Sequence, residues 1–257
     1  MFESLPVIHD PWFWVVAVPV VLLAGLSKSG FASGLGSLAT PMMALTVPVP
    51  QAAAVMLPLL MVMDVTGLQQ LWPQRDRGLV RLLVPWGLLG TSAGVVLFGV
   101  LPSAALSGLV GALTLLFVAQ RLLFPPSTGK LAAPRWVGRL CATLGGITSF
   151  IVHAGSPPVL AYVLPLRLSP LVTGASVAVF LASINLAKVV PYAALGLLDW
   201  RNLATAALLM PLAAFGVWVG TRLLHRISAT WFYRVAYTGM CLTGVKLLSD
   251  GLRAVWN

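Results

Sequence analysis

Long apolar stretches separated by short polar ones dominate the chain. No Asp, Glu, Lys or Arg occurs in 29–63 or in 82–120. A membrane-spanning helix needs about 20 apolar residues, so each stretch is long enough for more than one crossing. Backbone polar groups cannot stay unpaired in lipid, which leaves helices or a closed barrel. Barrel strands alternate apolar and polar residues over about 10 positions. These segments are apolar on every side, so the pattern predicts helices, at 11–32, 46–71, 79–101, 103–124, 136–152, 170–198, 201–223 and 230–252. Pro102-Ser103, inside an uncharged stretch, predicts a tight helical hairpin.

Two apolar pieces, 29–47 and 153–169, are broken by Gly, Ser and Pro and do not read as simple spans. Each follows the first helix of its half and precedes a long helix near Pro50 or Pro170. A register of about 120 residues aligns Gly36-Ser37 with Gly155-Ser156 and brings Asp64 near Asn185. Paired interrupted segments at corresponding places are a pointer to a transporter binding site. The expected fold is therefore all-α: a polytopic membrane bundle of about eight transmembrane helices. Two related four-helix halves, 1–124 and 140–257, are joined by a polar connection at 125–139.

Composition agrees with this reading. The 257 residues are 59% hydrophobic and 9% charged, against about a quarter charged in soluble domains. The net charge of +10 comes from basic residues between apolar segments, the pattern of cytoplasmic loops. No basic patch is interleaved with aromatics, which excludes nucleic acid as a partner. Cys141 and Cys241 both fall in apolar segments, so neither a disulfide framework nor metal-ligand spacing is present. The start, MFESLPVIHDPWFW, lacks the basic region of a cleavable signal peptide. With eight crossings and both termini cytoplasmic, nine loop Lys and Arg fall inside and four outside. That count favours cytoplasmic termini, although the basic loop after the seventh segment argues against it.

Ionisable residues at membrane depth are costly and point to function. Lys28 ends the first segment, Asp64 lies within the second, His153 opens the second broken piece and Lys188 lies in the sixth segment. A cation in a low-dielectric cavity attracts an anion far more strongly than one in water. Free N–H groups at neighbouring helix starts add oxyanion donors. Ser29, Gly36, Ser37, Thr40, Gly155 and Ser156 would supply backbone or hydroxyl donors; Asn185 and Tyr192 would line the site. Pro191 should free a carbonyl in the turn before it, next to Lys188. Asp64 either carries a coupling proton or neutralises Lys28, and the second reading is preferred. His153 either titrates near neutral pH or hydrogen-bonds a carbonyl of a broken helix. The bland alternative makes Lys28 and Asp64 a structural pair and sends Lys188 to the headgroups. Trp12, Phe13, Trp14, Trp72, Trp86, Trp200 and Trp231 read as an interfacial belt. Lys246 reads as snorkelling, and Gly87, Gly90, Gly94, Gly108 and Gly111 as close helix contacts.

These motifs resemble the TauE/SafE sulfite exporter family of membrane transporters. In the first half the resemblance rests on Gly25-Leu26-Ser27-Lys28-Ser29-Gly30-Phe31, Gly34-Leu35-Gly36, Pro41, Pro50-Gln51-Ala52-Ala53-Ala54, Leu57-Pro58 and Met63-Asp64. In the second half it rests on Thr148-Ser149-Phe150, His153-Ala154-Gly155, Pro157-Pro158, Tyr162-Val163-Leu164-Pro165, Asn185-Leu186-Ala187-Lys188, Pro191-Tyr192 and Gly196. It implies an eight-helix bundle of two related halves in a bacterial inner membrane, moving sulfite, sulfonates or related sulfur-containing anions. Lys28, Asp64, His153, Asn185, Lys188 and Tyr192 match polar positions of the family pattern. Ser29, Ala32 and Ser156 stand where the pattern often has glycine, which leaves the identity of the anion open.

The expected function is a secondary transporter of a small anion, without catalysis and without a cofactor. A coupling ion (proton or sodium) and homo-oligomerisation are left open. An anion channel would need a continuous polar stripe along several helices, and none is present. A membrane enzyme would need a nucleophile and a base at one depth. His153 and Ser156 have helical spacing, but Pro157-Pro158 argues against a helix there.

Overall fold

The computed structural model describes residues 7–28, 39–123, 133–223 and 229–256. They form ten α-helices in the order α1 (Pro11–Leu26), α2 (Ala39–Met43), α3 (Val49–Leu71), α4 (Arg77–Val100), α5 (Ser103–Leu123), α6 (Arg135–Val152), α7 (Ser156–Val163), α8 (Pro170–Ala194), α9 (Trp200–Leu223) and α10 (Ala229–Trp256). Short 3-10 turns at Trp72–Gln74 and Leu164–Leu166 follow α3 and α7. Four helices carry apolar stretches long enough to cross a membrane: Val49–Gln69, Arg77–Val100, Pro170–Ala194 and Trp200–Gly220.

Local chemistry sets the helix starts. Asp10 caps α1 through Trp12 N, Asp76 caps α4 through Leu79 N, and Ser169 caps α8 through Val172 N, each satisfying one unpaired first-turn amide. The helix at Ser156–Val163 corrects the reading of Pro157-Pro158 as a helix breaker. The two prolines occupy its first turn, where a missing N–H costs nothing.

Hydrogen bonds fix the direction of the helices. Arg201 Nε donates to Val7 O at 3.3 Å, Ile8 N to Thr205 Oγ1 at 3.1 Å, and Gln51 Nε2 to Asn202 Oδ1 at 3.2 Å. Thus α1, α3 and α9 all begin at one end of the bundle, here the proximal end. At the distal end, Asp76 N, just past α3, donates to Ser176 Oγ in the second turn of α8, at 2.9 Å. Because α1 and α3 start at the same end, the chain turns back between them and α2 lies on the return. The α6–α7 pair does the same from the distal end, where the Tyr162 ring packs on Gly138. The helices α3, α4, α5, α8, α9 and α10 run from end to end, whereas α1 with α2 and α6 with α7 form turned-back pairs.

Three long contacts are built on glycine. Gly90 on α4 faces Thr143 O on α6 so closely that a Cβ would stand 2.0 Å from it, and Gly146 faces Gly87 O in the same way. Gly25 on α1 packs on Gly216 on α9, and Gly111 on α5 on Gly244 and Leu248 on α10. The glycines singled out in the sequence thus permit close approach of backbones.

The aromatic belt needs one correction. Trp12, Trp72, Trp86 and Trp200 are exposed, but Phe13 is 0% exposed and sits in the core with Val20, Met56 and Leu59. Trp14 is partly buried and donates to Ile8 O at 2.8 Å. The side chain of Trp231 lies outside the described residues. Lys246 pairs with Asp250 one turn on, at 2.7 Å, both exposed.

Charge is divided between the ends. Arg75, Arg77, Arg81, Arg121, Arg135, Arg139, Arg167, Arg222 and Arg234 all lie at or within two turns of the distal end. Asp10, Asp199, Arg201, Asp250 and Arg253 lie toward the proximal end, where the described chain both starts and finishes.

Candidate functional site

The ends of α1 and α6 bring polar groups to α3 and α8. Lys28 follows the end of α1 and forms an ion pair with Asp64 on α3 through Asp64 Oδ1. The other carboxylate oxygen, Oδ2, accepts from Asn185 Nδ2 on α8 at 2.6 Å. Asn185 Oδ1 accepts from Lys188 Nζ at 2.8 Å, and Lys188 Nζ lies 2.9 Å from His153 Nδ1 at the tip between α6 and α7. His153 Nε2 in turn is 3.0 Å from Ala53 O, back on α3. The polar candidates from four separate segments therefore form one continuous chain of hydrogen bonds.

The partners fix the chemistry of each link. A carboxylate only accepts and an ammonium only donates, so the Asn185 amide can face them in one orientation only. A backbone carbonyl only accepts, so His153 carries its proton on Nε2 and presents a bare Nδ1 to Lys188. This is the neutral tautomer. The carbonyl it meets belongs to α3 and not to a broken helix, which corrects the sequence reading.

Lys188 is 0% exposed. An ammonium has three N–H donors, and two are taken by neutral acceptors, His153 and Asn185. Among the described residues no carboxylate lies within ion-pair distance of it. The reading that sends Lys188 to the headgroups is therefore excluded. The Lys28 side chain is 15% exposed, so the Asp64 end of the chain is the less enclosed.

The tip at His153 is held in an unusual backbone conformation. His153 ends α6 with φ 56° and ψ 25°, a left-handed conformation uncommon outside glycine. Its N–H donates to Ser149 O at 3.0 Å, and the Thr148 hydroxyl closes the turn on Ala154 O at 2.7 Å. Gly155 follows with no room for a side chain: a Cβ would stand 2.9 Å from Ser149 Cβ and 3.1 Å from Ile184 Cδ1. Ser156 opens α7 and is buried. Pro157 and Pro158 lack N–H groups, so Gly155 and Ser156 hold the two backbone donors of that first turn.

Tyr192 is close but differently employed. Its hydroxyl donates to Phe150 O at 2.7 Å, satisfying one of the last carbonyls of α6. Its ring packs between Phe98, Phe150 and His153. Ser29, Gly36 and Ser37 lie outside the described residues. Thr40, on α2, is 0% exposed, and its hydroxyl has no hydrogen-bond partner among the described residues. Sequence reasoning missed the backbone acceptors Ala53 O and Phe150 O, which no side-chain pattern announces. Among the described residues no cluster of His, Cys, Asp and Glu fits a metal ion.

The family model described as "Sulfite exporter TauE/SafE" matches residues 17–247. No curated protein and no solved structure matches the chain. The match begins within α1, spans the rest of both turned-back pairs and covers every residue of the hydrogen-bonded chain. With helices long and apolar enough to cross a bilayer, this chain belongs to the TauE/SafE sulfite exporter family and is a multi-pass membrane protein of a transporter family.

Proposed function

We propose that the protein is a secondary transporter of a small anion, bound beside Lys188 between the tips of the two turned-back pairs. The observation that carries this is the buried Lys188 ammonium, held by neutral acceptors and without a carboxylate of its own. An isolated buried charge is costly, and an anion at that point relieves the cost. The amides of Gly155 and Ser156 and the Thr40 hydroxyl are candidates for further donors. Family membership favours sulfite, sulfonates or another sulfur-containing anion as cargo. Asp64, engaged by Lys28 and Asn185, serves charge balance in this reading, and a coupling ion, proton or sodium, acts elsewhere or only after the pair opens.

The arrangement of the helices supports alternating access. The segments 1–124 and 140–257 are read as two repeats of inverted direction, joined by 125–139. Three features support this. The first set of helices starts at the proximal end and the second at the distal end. The packing is reciprocal: α1 lies on α9 and α6 on α4, α3 lies on α9 and α8 on α4. The remaining large contacts, α3 on α8 and α5 on α10, pair equivalent helices with each other. Inverted repeats that rock about a central site are a recurrent transporter design.

The test is flux of labelled sulfite into liposomes containing purified protein. Saturable uptake is expected, and Lys188→Ala should abolish it while the variant still elutes as a monodisperse species. Undiminished uptake in that variant would remove the site from consideration.

A further inference from the structure

The charges in the buried chain can be counted, and the count names the class of anion. Lys28, Asp64 and Lys188 contribute two positive charges and one negative. His153 is neutral, because Nε2 faces a carbonyl and Nδ1 faces an ammonium. The site thus carries one net positive charge.

We propose that the site selects oxyanions carrying a single negative charge, such as alkylsulfonates, over dianions of the same shape such as sulfate. This deepens the anion-transport reading and rests on it. One negative charge brings the enclosed group to neutrality. Two leave an uncompensated charge in low dielectric, where the desolvation cost is large. Shape does not make the distinction. Sulfate and methanesulfonate are both tetrahedral sulfur oxyanions, and they differ by one oxygen replaced with a methyl group.

The experiment is a thermal-shift titration of the detergent-purified chain at pH 7 and constant ionic strength, with methanesulfonate, sulfate and the neutral methanesulfonamide. A ligand that binds only the folded state raises Tm, by an amount that grows with the logarithm of its affinity. Methanesulfonate should bind about tenfold or more tightly than sulfate, and methanesulfonamide should be silent. Asp64→Asn removes the one negative charge, so its preference should move toward sulfate. If Asp64→Asn does not fold, the comparison in the unaltered chain still decides. Sulfate binding as well as or better than methanesulfonate would overturn the charge selection and leave anion binding standing. Silence from both anions would overturn anion binding itself and this inference with it.

A different observation carries a second inference. Nine arginines lie at the distal end, while the described chain starts and finishes at the proximal end. Lys and Arg near short loops are retained on the cytoplasmic side. We infer that the distal end faces the cytoplasm and that both ends of this chain lie across the membrane from it. This reverses the orientation expected from eight simple crossings. The turned-back pairs move the chain across the membrane once less in each half, so Arg167 and Arg222 join Arg75 and Arg135 on one side. Fusions after Asn257 to alkaline phosphatase and to green fluorescent protein test it in bacterial cells. Active phosphatase with dark fluorescent protein is expected; the opposite result would overturn it.

Discussion

Asp64 and Asn185 touch through a 2.6 Å hydrogen bond, and each is the sixteenth residue of its helix, α3 or α8. In a molecule of two repeats, equivalent residues meet only on the axis that relates them. The pair therefore marks where that axis would pass, and the two residues differ by one charge.

A charge swap tests this relationship. Asp64→Asn leaves Lys28 without its counter-ion and should cost about 3–5 kcal/mol. Asn185→Asp sets two carboxylates against each other and should lower Tm as well. The double variant Asp64→Asn with Asn185→Asp restores the charge count, and its Tm should exceed that of either single variant. Strict additivity of the two losses would mean that the residues do not act as a unit.

Tyr192→Phe separates a capping role from a ligand role. Losing the bond to Phe150 O should cost about 1–3 kcal/mol, read as a lower Tm. Because the hydroxyl is committed to that carbonyl, the apparent KM for the anion should hardly change. A large rise in KM at unchanged Tm would restore Tyr192 as a ligand.

Thr40→Val should behave in the opposite way. Removing a hydroxyl that has no partner should leave Tm unchanged or raise it, since an unpaired buried polar group is itself a cost. If Thr40 donates to the anion, uptake at low substrate concentration should fall several-fold. Unchanged uptake would make it a bystander.

Gly90→Ala tests the contact of α4 with α6. The new methyl would stand 2.0 Å from Thr143 O, so overpacking of about 1–3 kcal/mol or more is expected. Gly99→Ala, on the same helix with nothing within 4 Å, is the control. It should gain up to about 1 kcal/mol from helix propensity. Equal effects of the two would show that propensity and not packing sets the outcome.

The helices were legible in the sequence because apolar length is a direct consequence of the bilayer. Val49–Leu71 was expected at 46–71, and Arg77–Val100 at 79–101. Lys28, Asp64, His153, Asn185 and Lys188 stood out because charge and amide groups are rare in such segments. Their order along one hydrogen-bonded chain was not legible, since it depends on how four segments cross. Phe13 was misplaced because its neighbours Trp12 and Trp14 suggested a belt; a helix turns each residue about 100° from the last, which carries Phe13 inward. Orientation was not legible, because no periodicity tells whether a broken segment crosses the bilayer or turns back.

Both ends of the hydrogen-bonded chain rest on α3, at Ala53 and Asp64, eleven residues or about 16 Å apart along the helix. Its middle belongs to α8 and to the His153 tip. Sliding α3 past α8 therefore strains the links that cross between them, Asp64–Asn185 directly and Ala53–His153–Lys188 through the His153 tip. The chain acts as a latch on the empty protein. In the proposed transport reading, an anion whose oxygens replace the lost acceptors of Lys188 would loosen it, so exchange of anion for anion across the membrane should run faster than return of the empty protein.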